Sequence, residues 1–410
     1  MHKINFKSAN AVYIHLPFCS SKCPYCDFYS IKYAKKRVDH YWAALFMELE
    51  ELSKKVKNNL IQTIYIGGGT PSLVDPILIN ELIKKIKSKF KLPPAAEITM
   101  EVNPASINEE KIIRLKRAGI NRLSVGIQSF NDSHLSFLGR KSNSINSKKT
   151  LALIDYYFDN YSADLIFALP DQTLKEFEND LKTMLEFSPP HISLYNLEIH
   201  ENTPFYQKYN SGELKLPAEE LDADMYELAL KKLTAAGYQH YEISNFSQPG
   251  YRARHNYIYW LYQPYLALGP GASGFDGNCR YQNFRDLDQY IKHYNPKGLS
   301  FKEFNEIQQK NCIINLEKDK NNKNNKIRKI DCLSKKEKMA EYSFLALRTD
   351  KGLFYHKFYQ EFKLEFKTIY KEEIKELKQN NLIIEENERI HLTNRGKEVA
   401  NEVFLKFLLE

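Results

Sequence analysis

Short apolar strands alternate with amphipathic helical stretches from residue 11 to about residue 240. The strand candidates are AVYIHL (11–16), TIYIG (63–67), EITMEV (97–102), RLSVGI (122–127), ADLIFAL (163–169) and HISLYNLEI (191–199). Helical periodicity lies between them, as in HYWAALFMELEELSKKV, INEEKIIRLKRAG and TLKEFENDLKTMLEF. Six strands, each followed by a helix, predict an α/β fold with a parallel sheet. Because ligands of such sheets bind at the carboxyl ends of the strands, the loops that follow them are the predicted location of a functional site.

The pattern changes after residue 240 and indicates four segments. They are the alternating part (1–240), an aromatic and Gly-rich extension (241–314), a low-complexity basic insertion that is predicted to be solvated (315–333), and a helical C-terminal domain (334–410). The last segment contains a probable hairpin, LIIEENERIHL, and then a helix that Thr393 is expected to cap. Helices followed by a two-stranded wing and a helix are typical of a winged-helix-like unit.

Three of the six cysteines are clustered in C-x3-C-x2-C spacing at Cys19, Cys23 and Cys26, directly after the first predicted strand. Three thiolates on one loop can bind three irons of a [4Fe–4S] cluster and leave the fourth iron open to another ligand. The structural alternative for the bare triplet is a three-cysteine zinc site that His15 or a distant cysteine completes. Spacing alone leaves both open.

The residues around the triplet resemble the radical S-adenosylmethionine (SAM) superfamily. Its loop has this spacing with an aromatic residue before the third cysteine, here Tyr25, and the likeness continues in order through YIHLPFC, YIGGGTPS, EVNP, GIQSF and DLIFALPDQT. The resemblance implies a partial (β/α)6 radical SAM barrel with a [4Fe–4S] cluster, SAM and a winged-helix-like C-terminal domain. It also implies the SAM-binding positions, which are Tyr13, Tyr25, Gly68, Gly69, Thr70, Glu101, Gln128, Arg140 and Asp164.

The chemistry of these residue types suits a SAM site. Gly67–Thr70 follow the second strand, where absent side chains let a backbone approach a ligand. Glu101 and Asp164 are expected at the ends of the third and fifth strands, where carboxylates accept hydrogen bonds from ribose hydroxyls or an amino group. Gln128 and Arg140 follow the fourth strand, and an arginine there suits a carboxylate. Without the resemblance, these carboxylates would more often be helix caps or salt-bridge partners, and Arg140 a surface charge.

The chain is most similar to the oxygen-independent coproporphyrinogen III oxidase-like branch, with one departure from it. The oxidase pattern has a fourth cysteine two residues after the third, and this chain has Phe28 there. The substitution argues against oxidase activity. In this feature the chain resembles the heme chaperone group, whose members bind heme and deliver it to membrane hemoproteins. Oxidative decarboxylation in porphyrin biosynthesis is the alternative function.

A second motif resembles the heme chaperone group. RHNYIYW is similar to its H-N-x-x-Y-W motif, which makes His255 the expected heme ligand. Neutral imidazole is a common axial ligand of heme iron, and neighbouring aromatic rings can stack on a porphyrin. The structural alternative is a buried histidine that is hydrogen-bonded within an aromatic core.

Charge limits the classes of partner. The 410 residues carry a formal net charge of +8, of which residues 318–338 contribute +6 from 9 basic and 3 acidic residues. Residues 339–410 carry 12 basic and 13 acidic residues, so we expect no nucleic-acid partner for the winged-helix-like domain. The expected partners are heme, a membrane hemoprotein acceptor and a second copy of the chain.

Hydropathy predicts a cytoplasmic protein that at most touches a membrane from its surface. No run approaches the roughly 18 apolar residues that a membrane-spanning helix requires, and the N-terminus has no apolar leader. In a reducing compartment, thiols are expected to be free or metal-bound. Cys279, Cys312 and Cys332 have no metal-like spacing, and we expect them to have no specific role.

Overall fold

The computed structural model describes residue 4, residues 6–309 and residues 328–408. The strands in these residues are β1 (Phe6–Ser8), β2 (Ala11–Leu16), β3 (Phe18–Cys19), β4 (Ile31–Lys32), β5 (Val56–Asn58), β6 (Thr63–Gly68), β7 (Glu97–Val102), β8 (Arg122–Gln128), β9 (Tyr161–Phe167), β10 (His191–Asn196), β11 (Gln239–Glu242), β12 (Asn245–Ser247), β13 (Tyr265–Leu268), β14 (Ser273–Phe275), β15 (Cys279–Asn283), β16 (Arg328–Cys332), β17 (Leu353–Phe354), β18 (Ile383–Glu386) and β19 (Arg389–Leu392).

The helices of the same residues are α1 (Lys35–Ser53), α2 (Pro76–Lys89), α3 (Glu109–Ala118), α4 (Asp132–Phe137), α5 (Ser144–Tyr157), α6 (Leu174–Phe187), α7 (Pro204–Asn210), α8 (Glu219–Ala235), α9 (Arg254–Trp260), α10 (Leu287–Tyr294), α11 (Phe301–Gln309), α12 (Lys335–Leu347), α13 (Tyr355–Phe362), α14 (Phe366–Ile369), α15 (Lys371–Gln379), α16 (Asn394–Glu398) and α17 (Ala400–Leu405). Short 3₁₀ turns lie at Pro71–Leu73 and Pro104–Ser106. Within the described ranges, no helix is long and apolar enough to cross a membrane.

The six predicted strands are confirmed as β2, β6, β7, β8, β9 and β10. Their apolar side chains form the core, because residues such as Ile14, Ile66 and Met100 are completely buried. The predicted helices between them are also confirmed. Helix α6, for example, begins with a capping box in which Thr173 and Glu176 bind each other's backbone N–H groups.

The first of two compact units contains the described residues up to Tyr161, together with those of Glu198–Leu214 and Pro264–Cys332. Its parallel strands lie in the order β8-β7-β6-β2-β13, and the antiparallel strands β14, β15 and β16 continue the sheet. The register sets His15 of β2 opposite Gly67 of β6. The carboxyl ends of these two strands therefore lie side by side, and the cysteine loop and the Gly-rich turn start there.

The second unit contains Ser162–Leu197, Lys215–Gln263 and the described residues from Leu333 onward. In it β9 and β10 are parallel, while β12 pairs antiparallel with both β10 and β11. Its C-terminal part has helices around the antiparallel sheet β17-β19-β18. The predicted hairpin is β18 and β19, and Thr393 caps α16 by accepting the Gly396 N–H at 2.9 Å. Because each unit combines three stretches of chain, the linear boundaries near 240, 314 and 333 stay predictions.

Two predictions for the end of the first unit are wrong. Much of the basic insertion lies outside the described residues, but Arg328–Cys332 is not a solvated loop, since it is strand β16 beside β15. Cys279 and Cys332 also do have a role, because they lie directly opposite each other on these strands and form a disulfide in place of the free thiols that were expected for a reducing compartment. Opposite residues of antiparallel strands bring their Cβ atoms together, whatever their separation in sequence. Cys312 lies outside the described residues.

A buried carboxylate explains why β16 joins the sheet. Glu48 of α1 is fully buried and accepts hydrogen bonds from the Gly269 backbone N–H at 2.8 Å, the Asn283 side-chain amide at 2.8 Å and the Tyr290 hydroxyl at 2.5 Å. The Arg328 guanidinium forms an ion pair with the same carboxylate. Arg328 was counted with the solvated basic residues of the insertion, but its charge neutralises Glu48 inside the unit.

We expect Glu48→Ala to lower the free energy of unfolding by about 3–5 kcal/mol, because Arg328 then stays buried with only the longer contact to Glu51 at 3.8 Å to balance its charge. Urea unfolding followed by circular dichroism measures this change. The control is Glu81→Ala, which removes an exposed ion pair with Lys84 and should cost less than about 1 kcal/mol. Equal unfolding midpoints for the two variants would contradict the stabilising role of the Glu48 cluster.

Candidate functional site

The cysteine triplet lies on a loop whose base is held by two short strands. Cys19 ends β3, which pairs with β4, and its carbonyl accepts the Tyr33 N–H at 2.9 Å. Within the loop, the Cys26 N–H donates to the Cys23 carbonyl at 3.2 Å. All three thiols are half-buried and free of disulfides. The pKa of the Cys26 thiol is raised to about 11, mainly by burial and also by the neighbouring Cys23 and Cys19.

The arrangement of the thiols bears on the choice between one zinc ion and a cluster. In the part of the chain that the structure describes, no group of three or more His, Cys, Asp or Glu side chains is arranged to hold a single metal ion. In a cluster each thiolate binds a different iron, so the three sulfurs need not converge on one point. Both ring nitrogens of His15 also have hydrogen-bond partners already. Its Nδ1 accepts the Tyr13 hydroxyl at 3.0 Å, and its Nε2–H donates to the Tyr29 carbonyl at 2.7 Å.

The Gly-rich turn packs against the base of the cysteine loop. The Thr70 N–H donates to the Phe18 carbonyl at 2.8 Å, and the Thr70 hydroxyl lies 3.5 Å from the Cys19 sulfur. A Cβ on Gly69 would lie 2.7 Å from the Phe18 carbonyl oxygen, and Gly68 has a φ of +116°. The sequence suggested that these glycines make room for a ligand. The structure shows that close packing and backbone conformation already require them.

Glu101 is fixed at the end of β7 by two neighbours. Its Oε1 accepts the Tyr65 hydroxyl at 2.9 Å, and its Oε2 accepts the Gly68 N–H at 3.0 Å. The ring of Tyr13 stacks against Tyr65 with centroids 6.1 Å apart, and burial followed by the charge of Glu101 raises the pKa of Tyr13. The structure thus brings Tyr13, Gly68 and Glu101 together. Tyr65 was missed, although its position on β6 just before the glycines placed it at the site.

Gln128 and Arg140 converge above Gly126. Arg140 Nη2 donates to the Gly126 carbonyl at 2.6 Å, and a Cβ on Gly126 would lie 2.9 Å from Gln128 Nε2. The Arg140 guanidinium also contacts the Tyr25 phenol. Within the described residues, Arg140 Nε is buried and has no hydrogen-bond partner. A buried guanidinium N–H without an acceptor fits a site for a ligand carboxylate.

Helix α7 covers the cysteine loop, which the sequence did not indicate. The Phe205 N–H donates to the Pro24 carbonyl at 3.0 Å, between the second and third cysteines. The Phe205 ring is buried, with its centroid 6.3 Å from that of Tyr25 and 4.8 Å from that of Phe137. The only sequence signal was an apolar residue in the Thr-Pro-Phe start of a helix.

The remaining two predicted residues, Asp164 and His255, belong to the second unit. Asp164 lies in the middle of β9 and not at its end, as the sequence had suggested, and its Oδ1 accepts the Ser162 hydroxyl at 2.9 Å. His255 of α9 is 1% exposed, and its Nε2 lies 2.7 Å from the Tyr259 hydroxyl. This arrangement is the buried, hydrogen-bonded alternative, so His255 can bind heme iron only if it exchanges that contact.

Comparison with known proteins identifies the family. Residues 13–184 match the model of the radical SAM superfamily, and residues 333–399 match that of the HemN C-terminal domain. The chain is 35% identical over 404 residues to the heme chaperone HemW of Lactococcus lactis, with 98% of each chain covered. It is 33% identical over 403 residues to heme chaperone HemW of Bacillus subtilis, with 98% of this chain and 99% of the relative covered.

A solved structure shows the fold. The structure of the Escherichia coli coproporphyrinogen III oxidase HemN, a radical SAM enzyme, matches with a TM-score of 0.79 and 23% identity, over 98% of this chain and 91% of that one. This likeness confirms the predicted α/β class, a partial (β/α)6 radical SAM barrel with a C-terminal small domain. The likeness to the two HemW proteins extends over nearly the whole length of both chains. The chain therefore belongs to the HemW family within the radical SAM superfamily.

Proposed function

We propose that this chain is a heme chaperone that binds heme, carries a [4Fe–4S] cluster with SAM, and transfers the heme to an acceptor hemoprotein. The observation that carries the proposal is the loop with three free thiols that continues into Phe28, which is 59% exposed. An oxidase-type fourth cysteine is absent at this position. The relatives that are named heme chaperones match over nearly their full length, which supports heme as the cargo.

Cys19, Cys23 and Cys26 would hold the cluster. The cluster that they hold would supply one-electron chemistry toward a sulfonium compound such as SAM. The Thr70 hydroxyl lies against the Cys19 sulfur, where a hydrogen bond stabilises a thiolate. Helix α7 holds the backbone between the second and third cysteines. These contacts fix the backbone around the three cysteines.

In the first unit, one positively charged and one negatively charged side chain would bind different groups of SAM. Arg140 Nε is a buried donor for the ligand's carboxylate, and the Glu101 oxygens are acceptors for its amino group or ribose hydroxyls. Tyr13, Tyr25 and Gln128 surround these charges. Together with Gly68, Gly69 and Thr70, they form the proposed set of SAM contacts in the first unit. Asp164, which belongs to the second unit, stays a SAM contact that only the family resemblance suggests.

For heme, we propose His255 as the iron ligand. Its imidazole already contacts a polar hydroxyl and lies in an aromatic helix, so exchanging Tyr259 for iron would keep the ring nitrogen satisfied. A cytoplasmic location, a membrane-bound acceptor and a homodimer are further parts of the proposal that the sequence suggests.

We expect Cys19→Ser, Cys23→Ser and Cys26→Ser each to abolish the cluster, because each removes the thiolate for one iron. Anaerobic reconstitution should give about four irons per chain in the wild type and close to none in these variants, by iron analysis and electron paramagnetic resonance. The matched control is Cys279→Ser, which breaks the disulfide and should retain the iron. Full iron content in any of the triplet variants would refute the assignment of the ligands.

We expect His255→Ala to weaken heme binding at least about tenfold, because it removes the axial ligand. Titration with heme, followed by the Soret absorbance, measures the dissociation constant. His200→Ala is the control, since the His200 side chain is 42% exposed and its Nε2 lies 3.6 Å from a Glu198 carboxylate oxygen. Unchanged heme affinity in His255→Ala would show that another group binds the iron, and no heme uptake by the wild type would overturn the proposed function.

A further inference from the structure

Four polar residues face one another across the parallel strands β9 and β10. Ser162 and Asp164 share one face of β9, since they are two residues apart. The register sets His191 of β10 opposite Ser162, and Ser193 opposite Asp164. Ser162, His191 and Ser193 are buried, while Asp164 is half-buried. Polar groups inside a sheet need internal partners, and these residues supply them to one another.

Hydrogen bonds extend this group to the start of helix α9. The Ser162 hydroxyl lies 2.9 Å from Asp164 Oδ1 and 2.9 Å from His191 Nδ1. His191 Nε2 lies 2.7 Å from the Tyr241 hydroxyl, which in turn accepts the Ala253 backbone N–H at 3.2 Å. Tyr241 is fully buried, and Ala253 is the residue directly before α9. The contacts thus lead from a half-buried carboxylate to the helix that carries His255.

The proton positions in this chain follow from the carboxylate. The Ser162 hydroxyl has one hydrogen, which it donates to Asp164, so it accepts from His191 Nδ1–H and from the Ser193 hydroxyl, 3.1 Å away. A neutral imidazole then has a bare Nε2, which accepts the Tyr241 hydroxyl hydrogen. The Tyr241 oxygen is left to accept the Ala253 N–H. Every donor in the chain therefore points toward Asp164.

We propose that His191 is a positioning residue that transmits the state of the Asp164 carboxylate to the start of α9. Ala253 provides no side-chain cap for α9, and the Tyr241 hydroxyl binds the Ala253 backbone N–H at the start of the helix. If Asp164 no longer accepts from Ser162, the Ser162 hydrogen turns to His191 Nδ1. The single imidazole proton then lies on Nε2, and it competes with the Ala253 N–H for the Tyr241 oxygen.

This inference rests on the proposed function for its biological meaning. A ligand hydroxyl or ammonium group that binds Asp164 competes with Ser162 for the carboxylate, and the hold on α9 weakens. His255, which is closed by its contact with Tyr259, lies in the first turn of that helix. Binding at Asp164 would in this way favour the opening that His255 needs to reach heme iron.

The test uses the ligand-free chain and compares three variants. Asp164→Ala removes the acceptor, and Asp164→Asn keeps an acceptor oxygen. Asp222→Ala removes another carboxylate of the second unit, which binds the Asn196 amide at 3.2 Å outside the chain of contacts. Amide hydrogen exchange of a peptide that covers residues 253–260 measures how readily the backbone of α9 opens. ¹⁵N NMR of labelled histidines reports the tautomer of His191, a signature that a merely structural residue would not change.

We expect Asp164→Ala to speed exchange in this peptide about fivefold and to move the His191 proton from Nδ1 to Nε2. Asp164→Asn and Asp222→Ala should resemble the wild type in both measurements. Tyr241→Phe leaves Asp164 intact and should speed the exchange as Asp164→Ala does. It replaces Asp164→Ala in the test if Asp164→Ala fails to fold.

An Nε2–H tautomer in the wild type would overturn the inference, as would equal exchange in Asp164→Ala and Asp222→Ala. Neither measurement requires heme or SAM, so the inference can fail while heme binding is confirmed, and heme binding can fail while the inference holds.

Discussion

The parallel register of β2 and β6 is the constraint on which the candidate site depends. It sets His15 opposite Gly67, so the loop with the cysteines and the turn with the glycines leave the sheet side by side. The two backbones then approach so closely that no side chain fits on Gly69. A shift of one residue would reverse the faces of the strand and separate the Thr70 hydroxyl from the Cys19 sulfur. The site is therefore a consequence of strand pairing.

The same unit contains a second constraint, the buried charge of Glu48. This carboxylate binds the backbone of Gly269, which directly follows β13, and Arg328 at the start of β16. β13 pairs with β2. The cluster thus fastens the strand on one side of β2, while β6 is paired on the other side. A charge that the sequence placed in a solvated insertion belongs to the internal framework of the site.

The features that the sequence could predict depend on residues that are close together in the chain. Strands and helices follow from periodicity, and the cysteine triplet is recognisable because its ligands lie within one loop. The remaining features depend on chain segments that meet only in the fold. Arg328 and Glu48 are 280 residues apart, and Cys279 reaches Cys332 through strand register. Phe205 comes from a separate stretch of the first unit. Asp164 was expected at the end of the fifth strand, but β9 continues for three residues beyond it.

Exposed Phe28 stands where the oxidase pattern has its fourth cysteine, and buried His255 is the proposed heme ligand. The central claim is that the chain takes up heme and does not oxidise a porphyrin precursor. The most direct measurement reconstitutes the wild-type chain anaerobically with iron, sulfide, SAM and a reductant, and follows heme and coproporphyrinogen III in parallel samples. The account predicts stoichiometric heme uptake with no consumption of coproporphyrinogen III. Catalytic formation of protoporphyrinogen without heme uptake would contradict it.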